Sequence, residues 1–192
     1  MIPLFEMFAF VFLMSISPGP TNILSASYGK SKGFLNSLGF VTGAAIGFSG
    51  LAITIYMGLD KGIQDFPQLL TLLKYVGSIY IILLATCMVF FSEEIALGGG
   101  IKGRFLEGIF IQWVNPKSWI SALSGVSYFA KTQETFAIFV TTEMIVGWVG
   151  IAFWAYTGEY ISQILSTPAQ QKFFSGALGI SLAVVAIQTL NS

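Results

Sequence analysis

Long apolar runs separated by short polar stretches organise this chain. A helix needs about 20 apolar residues to cross the hydrocarbon core of a bilayer. Runs of about that length occupy Leu4–Tyr28, Leu38–Leu59, Leu69–Phe91, Phe105–Phe129, Phe136–Gly158 and Phe173–Leu190. Between them lie "GKSKG" (Gly29–Gly33), "DKGIQDFP" (Asp60–Pro67), "SEEIALGGGIKGR" (Ser92–Arg104), "AKTQE" (Ala130–Glu134) and "EYISQILSTPAQQK" (Glu159–Lys172). None of these connections is long enough for a soluble domain. The pattern predicts an all-α integral membrane protein, with six transmembrane helices in one domain over residues 1–192.

Two of the six runs are interrupted near their middles, the first by "SPGPTN" (Ser17–Asn22) and the fourth by "WVNPKSW" (Trp113–Trp119). A shift of about 98 residues carries Pro18 onto Pro116, the second run onto the fifth and the third nearly onto the sixth. The Gly98–Gly100 run near the midpoint reads as a linker between a first repeat, about 1–97, and a second, about 98–192. Each repeat is then one broken helix followed by two plain ones, and an odd number of spans forces the halves into opposite orientations. Inverted repeats with paired broken helices are a plan of many secondary transporters, with the binding site at the breaks.

The breaks have a chemistry of their own. Proline lacks an N–H and clashes with the carbonyl four residues earlier, so Pro18 and Pro20 deprive the Met14 and Ile16 carbonyls of their helical partners, and Pro116 does the same to Gln112. Pro20 suits the first position of a new half-helix. The N–H groups of Thr21, Asn22 and Ile23 then point back across Gly19 toward the break, a place suited to an anion. Asn115, pushed from helical geometry by the following proline, is a good N-cap for the half-helix after Pro116. Lys117 falls near mid-membrane, where a lysine costs about 2.5–3.5 kcal/mol and normally faces a partner or a wet cavity. Glu143, deep in the fifth run, is its natural counter-charge and a candidate for carrying a proton. Bland readings stand beside these: packing kinks at both breaks, and a fixed Lys117–Glu143 pair. Glu6 and Glu107, near run ends, read as interfacial, and Lys74 reads as able to reach the interface. Gly39, Gly43 and Gly47 form a small-residue face, either for packing within the chain or for a homodimer seam.

Composition agrees with the membrane reading. Hydrophobic residues make up 55% of the chain and charged residues 9%, against roughly 25% in soluble domains. Nine basic and nine acidic residues cancel, leaving no basic field for nucleic acid. The chain has no histidine and a single cysteine, Cys87, so no cofactor or metal is expected, and most enzyme chemistries lose their usual base. No Lys or Arg precedes the first run and Pro18 follows the candidate cleavage site, so that run reads as a retained helix rather than a signal peptide. Lys30, Lys32, Lys102, Arg104 and Lys172 lie in odd-numbered loops against Lys61 and Lys131 in even ones, which places the odd loops in the cytoplasm and both termini outside.

Together these residues resemble the lysine-exporter (LysE/RhtB) superfamily of amino-acid exporters. The likeness covers nearly the whole chain. It rests on Pro-Gly-Pro with Gly29, Gly33, Gly39 and Gly43 after it, on Lys74, Gly77 and Tyr80 in "LKYVGSIYIILL", and on "GIFIQWVNPKSW". It departs from the usual pattern at Ser118 and at "SGVSYFA" (Ser124–Ala130). The resemblance implies proton-driven export of an amino acid or related solute across the cytoplasmic membrane. Branches that move metals or electrons fit poorly with a chain lacking histidine and paired cysteines. The expected site joins Pro18, Gly19, Pro20, Thr21 and Asn22 to Gln112, Asn115, Pro116, Lys117 and Glu143. In it, the substrate carboxylate meets the half-helix N–H groups or Lys117, and its ammonium meets Glu143 and freed carbonyls such as that of Gln112. The alternative is a non-transporting membrane scaffold or partner subunit. A polar cavity touching both breaks distinguishes the exporter from a dry, packed scaffold.

Overall fold

The computed structural model describes residues 4–59, 68–90 and 101–191. Asp60–Pro67 and the Gly98–Gly100 linker, together with the side chains of Lys74 and Lys102, lie outside the described residues. The described chain is helical, with no strand in it: α1 (Leu4–Ile16), α2 (Pro20–Lys32), α3 (Phe34–Thr54), α4 (Gln68–Phe90), α5 (Ile101–Val114), α6 (Pro116–Phe129), α7 (Gln133–Thr142), α8 (Trp148–Ile164) and α9 (Pro168–Asn191). A π-helical turn, Ile55–Leu59, continues α3, and another, Glu143–Gly147, joins α7 to α8.

Three stretches, Phe34–Gly58, Gln133–Ile164 and Pro168–Leu190, are long and apolar enough to cross a membrane. The α1–α2 pair, bent by 55° at its break, makes a fourth, and α4 holds a shorter apolar stretch, Tyr75–Phe90. Helices run further into the polar stretches than hydropathy suggests. Only Gly33 separates α2 from α3, its φ of 81° allowing a reversal that an L side chain resists. Ile101–Arg104, expected in a loop, is the first turn of α5, because its backbone groups are satisfied by helix whether or not hydrocarbon surrounds them.

The interior divides into two apolar clusters. One joins α2, α3, α4, α5, α8 and α9 around Leu24, Tyr28, Phe40, Ile111 and Leu182. The other joins α1, α3, α6 and α7 around Val11, Leu51, Trp119 and Phe139. Around the outside, large apolar side chains such as Phe5, Leu35, Met57 and Phe173 are exposed, the inverse of a soluble surface.

Two helix crossings are close enough to require glycine on both helices. A Cβ on Gly29 would lie 1.8 Å from the Ala155 carbonyl oxygen, and one on Gly158 would lie 1.9 Å from that of Ala26, so α2 and α8 meet backbone to backbone. Gly43 stands in the same relation to the Phe105 carbonyl at 2.0 Å, and Gly108 to that of Phe40 at 2.2 Å, which seats α3 on α5. Gly47 faces Ile109 of the same helix. The Gly43 and Gly47 face is therefore filled within the chain and is not open for a dimer seam.

Candidate functional site

Both breaks fall where the proline spacing puts them. Residues 17–19 separate α1 from α2, with Gly19 extended at the N-cap position and Pro20 in the first turn of α2. Asn115 alone separates α5 from α6, and its side chain accepts from the Lys117 N–H at 3.1 Å, the expected cap.

The carbonyls of Met14, Ser15, Ile16 and Ser17, leading into the first break, are engaged by side chains. The Asn22 amide donates to Ser15 O at 2.7 Å and to Ser17 O at 2.8 Å. Trp154 Nε1 donates to Ile16 O at 3.1 Å, and Ser17 Oγ to Met14 O at 3.2 Å. Buried polar groups without partners are costly, so this bonding makes the break stable in an apolar surround. Of these oxygens only Ser17 O has two donors; the others keep a lone pair, and the Asn22 amide N–H groups are taken up by the backbone.

Lys117 crosses from the second break to the first. Its Nζ donates to Ser17 O at 2.7 Å and to Ser17 Oγ at 2.8 Å. Its stem lies over Gly19, where a Cβ would come within 2.9 Å of Lys117 Cδ. The ammonium is thus held by neutral oxygens, and the fixed Lys117–Glu143 ion pair is not formed. A further relay ties the breaks together. The Asn115 amide donates to Thr21 Oγ1 at 3.2 Å, Thr21 donates to Gln112 Oε1 at 3.5 Å, and the Ser118 hydroxyl donates to the same Gln112 oxygen.

Between these groups is a cavity of about 50 Å³. Of the ten expected site residues, Gly19, Thr21, Asn22, Gln112, Asn115, Lys117 and Glu143 line it. Pro18, Pro20 and Pro116 do not; Pro18 is exposed, and the three shape the breaks instead. Glu143 opens the π-helical turn, a local widening often found at functional positions. Gly147, one turn on, leaves room for its carboxylate, which would sit 2.5 Å from a Cβ there. Ser15, Ser121 and Gly147 also line the cavity and were not singled out from sequence, and Ser118, noted there only as a departure from the family pattern, lines it too. The signal for Ser121 was present: it follows Lys117 by four residues, on the same helical face. Ser121 Oγ is buried without a hydrogen-bond partner, a donor and acceptor left for whatever enters.

A positive group, a carboxylate, hydroxyls and amides thus converge where two helices break in an otherwise apolar interior. Comparison with known proteins agrees with this geometry. The family model described as LysE type translocator matches residues 12–192. The chain belongs to this family. It is a translocator of the cytoplasmic membrane and not an enzyme. The translocator is similar to a "Leucine efflux protein" of Enterobacter sp. (strain 638), 24% identical over 88% of this chain and 86% of the relative. It is also similar to a "Cysteine/O-acetylserine efflux protein" of Escherichia coli O139:H28 (strain E24377A / ETEC), 24% identical over 93% of this chain and 90% of the relative. The protein of the same name from Escherichia coli (strain K12) is 23% identical over 84% and 85%. No solved structure matches the translocator.

Proposed function

We propose that this translocator is a secondary-active exporter of amino acids or similar small zwitterions, working by alternating access and coupled to protons through Glu143. The observation that carries the reading is the cavity touching both breaks, with Lys117 and Glu143 on its wall and the Lys117 ammonium bonded to Ser17. A basic and an acidic side chain on one wall are what a zwitterion's carboxylate and ammonium require. The carboxylate meets Lys117 and the start of α2, which has no side-chain cap. The ammonium meets Glu143 and the serine hydroxyls. A non-transporting scaffold has no use for such a cavity.

In this reading six spans form a single domain of two inverted repeats, about 1–97 and 98–192, with odd loops cytoplasmic and both termini outside. The packing supports alternating access, because the two faces differ. The α2–α8 and α3–α5 crossings seal the side of the odd loops backbone to backbone. Toward the termini, a recess of about 550 Å³ opens beside Glu6, Phe10, Ser124 and Tyr128, between α1 and α6. The central cavity admits a few waters, so an amino acid enters only as the helices part.

Two measurements test the proposal. Metabolite profiling of cells with and without overexpression should show one or more amino acids leaving the cytoplasm faster. In proteoliposomes, Glu143→Gln should keep counterflow at raised substrate concentration, the loss of one ammonium contact weakening affinity, and should lose export driven by a pH gradient at any substrate concentration. Unchanged pH-driven export by that variant refutes the coupling role, and unchanged metabolite profiles refute the exporter reading.

A further inference from the structure

Glu107 takes no part in the cavity, and it is not the free interfacial carboxylate that its place near a span end suggested. It lies on α5 between Phe105 and Gly108, the residues whose backbones meet Gly43 and Phe40 of α3. The Tyr28 hydroxyl of α2 donates to its carboxylate, and the Tyr80 hydroxyl of α4 hydrogen-bonds it as well. Tyr28 is fully buried against Phe40, ring centroids 5.0 Å apart, and Tyr80 meets Phe110 edge-on at 5.1 Å. The carboxylate of one repeat is therefore clasped by two tyrosines of the other, within the sealed face of the molecule.

Few other charges are near. Arg104, one turn earlier on α5, is buried with Nε unpartnered and close enough to act on Tyr28. Helix α3 carries no charged residue, and Lys30 of α2 is directed to Ser175 of α9. Lys117 of α6 belongs to the cavity.

We propose that Glu107 is a second proton-binding site, whose proton releases the clasp between the repeats on the face of the odd loops. Ionised, the carboxylate is an acceptor only and takes both tyrosine O–H groups in charge-assisted bonds. One proton from the adjoining aqueous phase makes it a neutral acid with a donor of its own. Both tyrosines then bond a weaker acceptor, and α5 is freer to leave α2 and α4. The proton returns to the same phase as the clasp closes. The link to transport rests on the exporter reading, whereas the site itself does not.

Infrared difference spectra, acid minus alkaline, on the full chain in lipid nanodiscs test the site. A protonated-carboxyl band should be lost in Glu107→Gln, kept in Glu143→Gln and shifted in Tyr28→Phe. A band indifferent to Glu107→Gln overturns the proposal. Opening is read separately by thiol labelling of Ser27→Cys in a Cys87→Ser background, since Ser27 is fully buried beside Tyr28. At one neutral pH, Glu107→Gln should raise the labelling rate roughly tenfold or more, the equivalent of one charge-assisted bond; equal rates overturn the latch. Tyr28→Phe gives the same comparison should Glu107→Gln fail to fold. Neither readout uses a substrate, so absent export by the wild type removes the exporter reading and leaves the site standing.

Discussion

Lys117→Met separates a functional lysine from a structural one. Methionine keeps an unbranched apolar stem of similar reach, so the packing over Gly19 survives while the charge and both bonds to Ser17 are lost. Hydrogen bonds to charged groups contribute about 1.5–3 kcal/mol each. Against that, keeping an ammonium at this depth costs about 2.5–3.5 kcal/mol, so the terms largely offset and stability should change by no more than about 3 kcal/mol. Transport has no such compensation. Losing one charge-assisted bond to a substrate carboxylate lowers affinity roughly 10- to 100-fold. The assay is efflux of labelled amino acid from preloaded proteoliposomes, with tryptophan-fluorescence melting of the same preparation as the control. Efflux within twofold of wild type refutes the role of Lys117 in binding. A variant that inserts but melts far below wild type makes it a structural residue.

Other substitutions probe the frame around the site. Asn22→Ala strips the partner from the Ser15 carbonyl and one of two from Ser17 O, and should cost about 1–3 kcal/mol in detergent melting; no loss means water replaces the amide. Asn115→Ala removes the cap of α6 and the bond to Thr21, an expected loss of about 1–2 kcal/mol by the same measurement. Gly29→Ala drives a methyl into the Ala155 carbonyl and should cost more than about 3 kcal/mol or abolish the monodisperse peak on size exclusion. Wild-type behaviour of that variant means α2 and α8 are not held as close as the structure has them.

The breaks were legible because their causes are local. Proline removes an N–H and blocks a carbonyl wherever it stands, so Pro20 opening α2 and Asn115 capping α6 follow from residues within one turn of each. The partners of the freed carbonyls were not legible. Asn22 reads equally well as a substrate ligand or a backbone clamp until Ser15 and Ser17 are placed beside it. Trp154, which takes the Ile16 carbonyl, lies 138 residues away, and no spacing announces that contact. Glu107 was misread for a similar reason: hydropathy locates a residue along a helix but is silent about which tyrosines the neighbouring helices bring to it.

Sequence by itself thus determined the class of protein and the two points where helices must break, each a consequence of covalent geometry or of solvation in hydrocarbon. Tertiary structure alone decided that Lys117 turns to Ser17 instead of Glu143, that seven of the ten expected residues share one cavity, and that Gly29 and Gly158 bring α2 onto α8. Those outcomes depend on helix crossing angles and on competition among distant donors for the same oxygens. They are settled only when the whole set of helices packs together.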